Sequence, residues 1–352
     1  MNGQWYLMTP QITFSHKVHI YFLSALMLSA LSACSESRQP TDYFTSAWER
    51  VIYYAWYGEK KIQFPDGSRY KGQINKIGQK HGKGKFKWAD GTQYIGEWKN
   101  DKMDGSGSIF YSDGSAYSGQ WQKGKFAGEG RYRWKNANQF EGEFLSGRPH
   151  GKGIYRWPDG RHYSGQFVVG KKQGKGIYTW PNDKQYIGEF EEDRPHGKGI
   201  LIFQNKQEYH GEFFQGMMHG VGTYQWPDGR TYRGRFIHDK RTGEGTFSWS
   251  SGEVYTGQFI NDEISGKGVL TWADGNRYSG EFYQGLKSGK GAFEFSDGRR
   301  YIGEFKKDRM HGLGELIFVD GSKFIGIFVN DQIIEQGTCY QISYLAEIER
   351  HQ

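Results

Sequence analysis

The chain is short of cysteine. It holds 2 in 352 residues, which excludes a disulfide-framed fold or a cysteine-rich metal fold. Proline is scarce too, at 8 residues, so this is not a polyproline spacer. No apolar run reaches the roughly 20 residues needed to cross a bilayer as a helix. The longest, Ile20–Ala33, has 14. Blocks of one charge are also missing. The 46 basic and 39 acidic residues interleave, for a net +7. That pattern is a mixed solvated surface rather than a nucleic-acid footprint, and no nucleic-acid partner is expected.

Two residue classes are abundant instead. Glycine stands at 52 residues and aromatics at 17%. Glycine is about twice its average usage. A disordered Gly-rich tract would lack this aromatic mass. Mean hydropathy is low, at −0.80. Rings rather than aliphatics must therefore supply most of the buried area.

The first 33 residues differ from the rest. Lys17 is their only charged side chain, and the apolar run Ile20–Ala33 follows it. This fits a signal peptide over residues 1–33, with Met8 an alternative start. The run closes on Leu31-Ser32-Ala33-Cys34. That tetrapeptide resembles the lipobox of bacterial lipoproteins, which implies cleavage before Cys34 and lipid on its sulfur and new N-terminus. Several acyl chains, at ~0.8 kcal/mol per buried methylene, make a stable anchor. Ser35 resembles the outer-membrane sorting class. The expected location is the bacterial envelope, on the periplasmic side of, or on, the outer membrane. If Cys34 is lipidated, Cys339 has no partner in the chain and is expected to be buried.

Residues 34–45 are polar and include Pro40, as a tether would. Ser46-Ala-Trp-Glu49 has the form of a capping box, so 46–61 is expected to be a helical cap. Residues 338–352, with Tyr344–Arg350 helical in character, are expected to cap the other end. Between them, from 62 to 337, lies a repeat. An aromatic opens a copy every 23 residues from Tyr94 through Tyr163 and Tyr186 to Phe324. The copy at Tyr70 has 24, its extra residue falling near Ile77-Gly78. A fixed period of this length signals a repeat array.

We number the opening aromatic of each copy as position 0. In the Tyr163 copy, Tyr163, Gly165 and Phe167 take positions 0, 2 and 4. Gly174, Gly176, Tyr178 and Trp180 take 11, 13, 15 and 17. Alternation predicts two short antiparallel strands per copy. One face carries rings and glycines, with each ring lying over the gap that a glycine leaves. Trp157-Pro-Asp-Gly160 and its relatives mark tight hairpin turns. Ala137 and Gln204-Asn-Lys206 depart from that turn, which should loosen it there. The fold class is all-β: one elongated sheet of antiparallel hairpins with short helical caps.

Tyr186-Ile-Gly-Glu-Phe190 followed by His196-Gly-Lys-Gly199 resembles the MORN repeat (membrane occupation and recognition nexus). The resemblance implies a single-sheet hairpin array used for scaffolding, dimerisation or membrane association. A protein partner and a homodimer follow as expectations; direct phospholipid binding, proposed for MORN proteins, does not follow from the motif.

Catalytic chemistry finds no foothold. The acids at position 3, such as Glu97, Glu189 and Glu304, stand in a regular ladder with similar environments. A working acid–base pair needs environments that drive the two pKa values apart. His81, His150, His196, His219 and His311 precede glycine about a copy or more apart, too far to converge on a metal. They are expected to be turn residues serving local backbone groups. Gly151-Lys-Gly153 lacks the phosphate-loop spacing. No catalytic residue, cofactor or metal is expected. Lysines at position 12, including Lys83, Lys152, Lys175, Lys198, Lys267 and Lys290, are expected to form a basic row along one edge. That row is a candidate contact for anionic lipid. The candidate binding surface is the row of rings at Trp157, Tyr178, Trp180, Trp226, Trp249 and Trp272, which suits protein or envelope glycan. The expected function is a non-enzymatic, lipid-anchored scaffold. The alternative is a module binding envelope glycan or phospholipid headgroups.

Overall fold

The computed structural model describes residues 59–334 and 338–340. The expected signal peptide, Cys34, the expected tether and the two segments expected to be helical (47–57 and 344–350) lie outside the described residues, as does the side chain of Cys339. The rest is one sheet of 26 strands. As far as Gln332–Ile333 each strand pairs antiparallel with the next in the chain, beginning with Lys60–Gln63 on Arg69–Ile74. The first strand therefore starts at Lys60, inside the segment expected to be a cap. At the far end Lys323–Val329 pairs with Gln332–Ile333 and also with Thr338–Tyr340. Residues expected to begin a cap thus add a strand to the sheet.

The Tyr163 copy supplies His162–Val168 and Lys171–Thr179. Their register sets Tyr163 against Tyr178 and Gly165 against Gly176, then shifts at a bulge so that Phe167 meets Lys172. Paired glycines open a slot two residues wide, and the Tyr163 ring fills it. A Cβ on Gly176 would lie 2.4 Å from Tyr163 Cε2, and one on Gly165 2.4 Å from the hydroxyl oxygen. No other residue fits there.

The core follows from this device, because a single sheet has no second layer to bury anything against. Tyr163, Tyr186 and Tyr209 are 0% exposed. From Tyr163 to Tyr301 each opening Tyr meets its own copy's Phe and the next copy's Phe edge to face, and Trp98 and Trp121 take that place in earlier copies. Tyr163 lies 5.1 Å from Phe167 at 85° and 4.8 Å from Phe190 at 76°. Such contacts add about 0.5–1.5 kcal/mol each beyond area burial, and here they run from copy to copy. The Tyr163 hydroxyl donates to the Gln166 carbonyl at 3.1 Å. Burial pushes its pKa up to about 12.

Two kinds of turn alternate. The one between His162–Val168 and Lys171–Thr179 has two residues, Val169 and Gly170, both at positive φ (51° and 86°). This is the type I′ pattern, whose twist matches the strands. In the Tyr186 copy the same turn is Glu192-Asp193, with φ 48° and 71° and no glycine. The other turn is longer. Gly160 N–H donates to the Trp157 carbonyl at 3.1 Å, and Trp157 N–H to the Arg161 carbonyl at 2.9 Å. Asp159 Oδ1 accepts the Arg161 N–H at 3.1 Å. Asp-Gly therefore marks a turn with a glycine bulge, and the tightest turns lie where no Asp-Gly stands. The departures do not loosen it. Ala137 and Lys206 take φ 63° and 64° and still donate at 2.9 and 3.0 Å. The extra residue of the Tyr70 copy does lie between Ile74 and Lys80, where Gly78 N–H donates to the Asn75 carbonyl.

Candidate interaction surface

Strand alternation sends positions 0, 4, 9, 15 and 17 to the ring face. Positions 1, 3, 5, 8, 12 and 14 go to the opposite face, which we call the outer face. The six candidate ring residues all lie on the ring face, half-buried against the core. They belong to ladders of rings that break where Leu201 and Leu270 take position 15. Tyr178 is 4.4 Å from Trp180 and 5.5 Å from Trp157, and Trp226 is 5.5 Å from Phe247.

The sequence reading missed cations set into this face at position 9. Lys172 Nζ lies 5.5 Å from the Trp157 ring, 5.6 Å from Tyr178 and 5.9 Å from Tyr163. Burial lowers its pKa, while Asp193 at 3.5 Å opposes that shift. Lys80, Arg241 and Lys287 are caged the same way. Each cage draws rings from neighbouring copies, so only cross-copy register reveals it.

The lysines at position 12 do not form a basic row along an edge. Register sets Lys175 opposite Glu189, Lys198 opposite Glu212 and Lys267 opposite Glu281, in the body of the sheet. This is a mixed-charge row, the cross-strand pairing expected of opposite charges. The position-3 side chains also cap the bulge. Glu143 Oε1 accepts the Lys152 N–H at 2.9 Å and Gln166 Oε1 the Lys175 N–H at 3.2 Å.

The histidines sit in strands rather than turns, because the preceding turn has only two residues; His196 is within Arg194–Ile202. His196 Nδ1 reaches Glu191 Oε2 at 3.2 Å, and elsewhere it is the backbone that bonds. The Tyr209 hydroxyl donates to the His219 carbonyl at 3.1 Å. The buried Nδ1 atoms of His81, His150, His219 and His311 have no partner.

The outer face is where apolar side chains remain uncovered. Ile177, Ile187 and Ile200 stand side by side in register, and Ile177 is 41% exposed. They wall a groove of about 830 Å³ whose floor is the glycine pairs and whose other wall includes Lys175, Glu189 and Lys198. A second trough of about 390 Å³ adjoins it at Lys175 and runs past Ile154 and Lys152. Nearer the type I′ turns, position 5 carries Leu145 and Val168, then Glu191, then Phe214, Ile237, Ile260 and Tyr283, the apolar ones from 39% to 63% exposed. Across the turn the apolar ones face Arg148, Lys171, Met217, Lys240, Glu263 and Leu286. Reading position 5 down the copies would have revealed this stripe from the sequence.

The MORN repeat family model matches eleven consecutive segments, from 70–93 to 301–323. The chain belongs to the MORN-repeat family. No curated protein matches it in sequence. Among solved structures it is similar to the TCP domain of SAS-4 (dCPAP) from Drosophila melanogaster. That match is 13% identical, covers 44% of this chain and 85% of that one, and has a TM-score of 0.30. The TCP10 domain of CPAP from Danio rerio is 12% identical over 79% of this MORN chain and 99% of its own, at a TM-score of 0.20. Virginiamycin B lyase from Staphylococcus aureus, with quinupristin, is 10% identical over 76% and 90%, at 0.13. These scores carry no argument about function.

Proposed function

We propose that this MORN protein is a non-enzymatic scaffold of the bacterial envelope. It is anchored by lipid on Cys34 after removal of residues 1–33, and it binds a protein partner through its outer face. The observation that carries the binding reading is the exposed apolar stripe and groove on that face. The fold has no need of them, since its rings are buried on the other side. Contiguous exposed apolar surface marks interaction sites more often than it marks chance. Leu31-Ser32-Ala33-Cys34 supports the anchor, and Ser35 supports the outer membrane.

A second reading, binding of envelope glycan or phospholipid headgroups, is favoured by the half-exposed ring ladder through Trp157, Tyr178, Trp180, Trp226, Trp249 and Trp272. Palmitate labelling of the native chain and of Cys34→Ala tests the anchor; an unlabelled native chain ends that reading. Binding of the purified chain to peptidoglycan and to anionic vesicles tests the second reading. Saturable binding that is lost in Trp226→Ala/Trp249→Ala would displace the protein-scaffold reading.

A further inference from the structure

The outer-face groove is built for one kind of occupant. It crosses seven strands, from Arg148–Arg156 to Met217–Gln225. Six spacings of ~4.8 Å make it about 29 Å long. Along one wall Ile154, Ser164, Ile177, Ile187 and Ile200 stand on five successive strands, and His210 and Thr223 continue the row on the last two. Along the other, Lys175, Glu189, Lys198 and Glu212 alternate in sign. Between the walls the floor is glycine backbone.

Three occupants are disfavoured by this chemistry. A sugar stacks on the faces of large aromatic rings, and no Trp, Tyr or Phe lines the groove. An anionic lipid surface wants a basic patch, and here each lysine of the main groove is followed by a glutamate. An added β-strand needs free backbone groups, and the floor glycines are already paired within the sheet, as Gly176 is with Gly165 and Gly188.

Spacing then selects among polypeptides. One face of an extended chain repeats every two residues, about 6.6–6.8 Å, out of step with walls that repeat every ~4.8 Å. Rows of a helix repeat every three to four residues, about 4.5–6 Å, which keeps pace with them. We propose that the groove receives an amphipathic α-helix of a partner protein, about 19 residues long. Its apolar stripe lies on Ile154, Ile177, Ile187 and Ile200. Beside that stripe it carries acids opposite Lys175 and Lys198 and bases opposite Glu189 and Glu212. This inference rests on the protein-scaffold reading and makes it specific.

The test places the photo-crosslinker benzoylphenylalanine at Ile187 in the full chain, in its native host. A parallel chain carries it at Ile302, an outer-face position outside the groove with nearly equal exposure, 37% against 36%. The expected result is a discrete protein adduct at Ile187 that maps to a helix-periodic segment of mixed charge. Lys175→Glu/Lys198→Glu should reduce that adduct about tenfold, the loss that ~1.4 kcal/mol produces, without changing the circular dichroism. A protein adduct at Ile302 alone overturns the groove and leaves the scaffold standing. A lipid or glycan adduct at Ile187, or an adduct indifferent to the charge reversal, also overturns the proposal. Absence of protein adducts at both positions overturns the scaffold reading with it.

Discussion

The two faces of the sheet are made by the same strands and obey opposite rules. On the ring face most positions are a ring or a glycine, with position 9 left to caged cations in some copies, and Tyr163 and its equivalents are wholly enclosed. On the outer face neighbouring residues of those strands vary from copy to copy. Position 12 is Lys198 in one copy and Val221 in the next, and position 5 runs from Glu191 to Phe214. A single-layer sheet can bury side chains on one face only. That face must repeat, because each opening ring needs a ring of the next copy. The other face has no partner within the sheet, so it is free to differ along its length. Stability belongs to the first and recognition to the second.

Adjacent residues break this comparison most sharply. Gly176→Ala puts a Cβ 2.4 Å from the Tyr163 ring. The ring has no room to move, because Phe167 and Phe190 hold both sides. Overpacking of this kind costs about 3 kcal/mol. Ile177→Ala, one residue away on the outer face, should cost about 0.5 kcal/mol, as a half-exposed change does. Urea unfolding with hydrogen exchange in the Tyr163 copy checks the pair. Equal losses would dissolve the distinction between the faces.

Alkaline pH attacks the ring face through its tyrosines. Burial holds Tyr70, Tyr117, Tyr163, Tyr232, Tyr255 and Tyr301 at about 12. In the unfolded chain a tyrosine ionises near 10. The native state therefore keeps protons that the unfolded state has lost. Stability is whole below about pH 10 and falls as pH rises through 12. Tyrosinate absorbance should appear together with the loss of far-ultraviolet circular dichroism, in one steep step. Gradual ionisation of a sheet that stays folded would place the tyrosines in water.

Two copies, opened by Phe140 and Phe324, lack the hydroxyl. Phe140 fills the slot that Tyr163 fills in its own copy, and there Gly142 stands at φ 149°. In the Tyr163 copy the hydroxyl donates to the Gln166 carbonyl; the corresponding Glu143 carbonyl has no such donor in its own Phe140. Phe140→Tyr should add about 1 kcal/mol and Tyr163→Phe remove about as much, the worth of one hydrogen bond. Thermal unfolding of the two variants measures both signs.

The ring face was almost wholly legible in the sequence. Its period, its alternation and the seat of each ring over glycine follow from residues within one copy. What escaped depends on pairs that lie a copy apart. Asp193 Oδ1 accepts the Lys172 N–H at 2.9 Å, 21 residues back. Where that earlier residue is a proline with no N–H to give, as at Pro149 and Pro195, the turn carries Gly170 and Gly216 instead of Asp. The rule is visible once the register is known. The same holds for lysine facing glutamate across strands, and for the cages around Lys80, Lys172, Arg241 and Lys287. The Glu192-Asp193 turn was hidden for a different reason: its positive φ angles are carried by residues that do not advertise them.

The turns lie at the margins of both faces and supply the smallest effect. Ala137, Asp183 and Lys206 hold φ of 63°, 61° and 64° where other copies have glycine. A left-handed alanine costs about 1–2 kcal/mol. Glycine recovers that but gives the unfolded chain more freedom, worth about 0.4–1 kcal/mol. Ala137→Gly should therefore stabilise by about 0.5–1 kcal/mol, read as a small rise in the urea midpoint. Its hydrogen bond to the Trp134 carbonyl is already 2.9 Å, so the gain comes from the backbone and not from a new contact. Crosslinking at Ile187 should stay unchanged, because the turn reaches neither wall of the groove. A change there would mean that the margins set the outer face, and that the two faces are not independent.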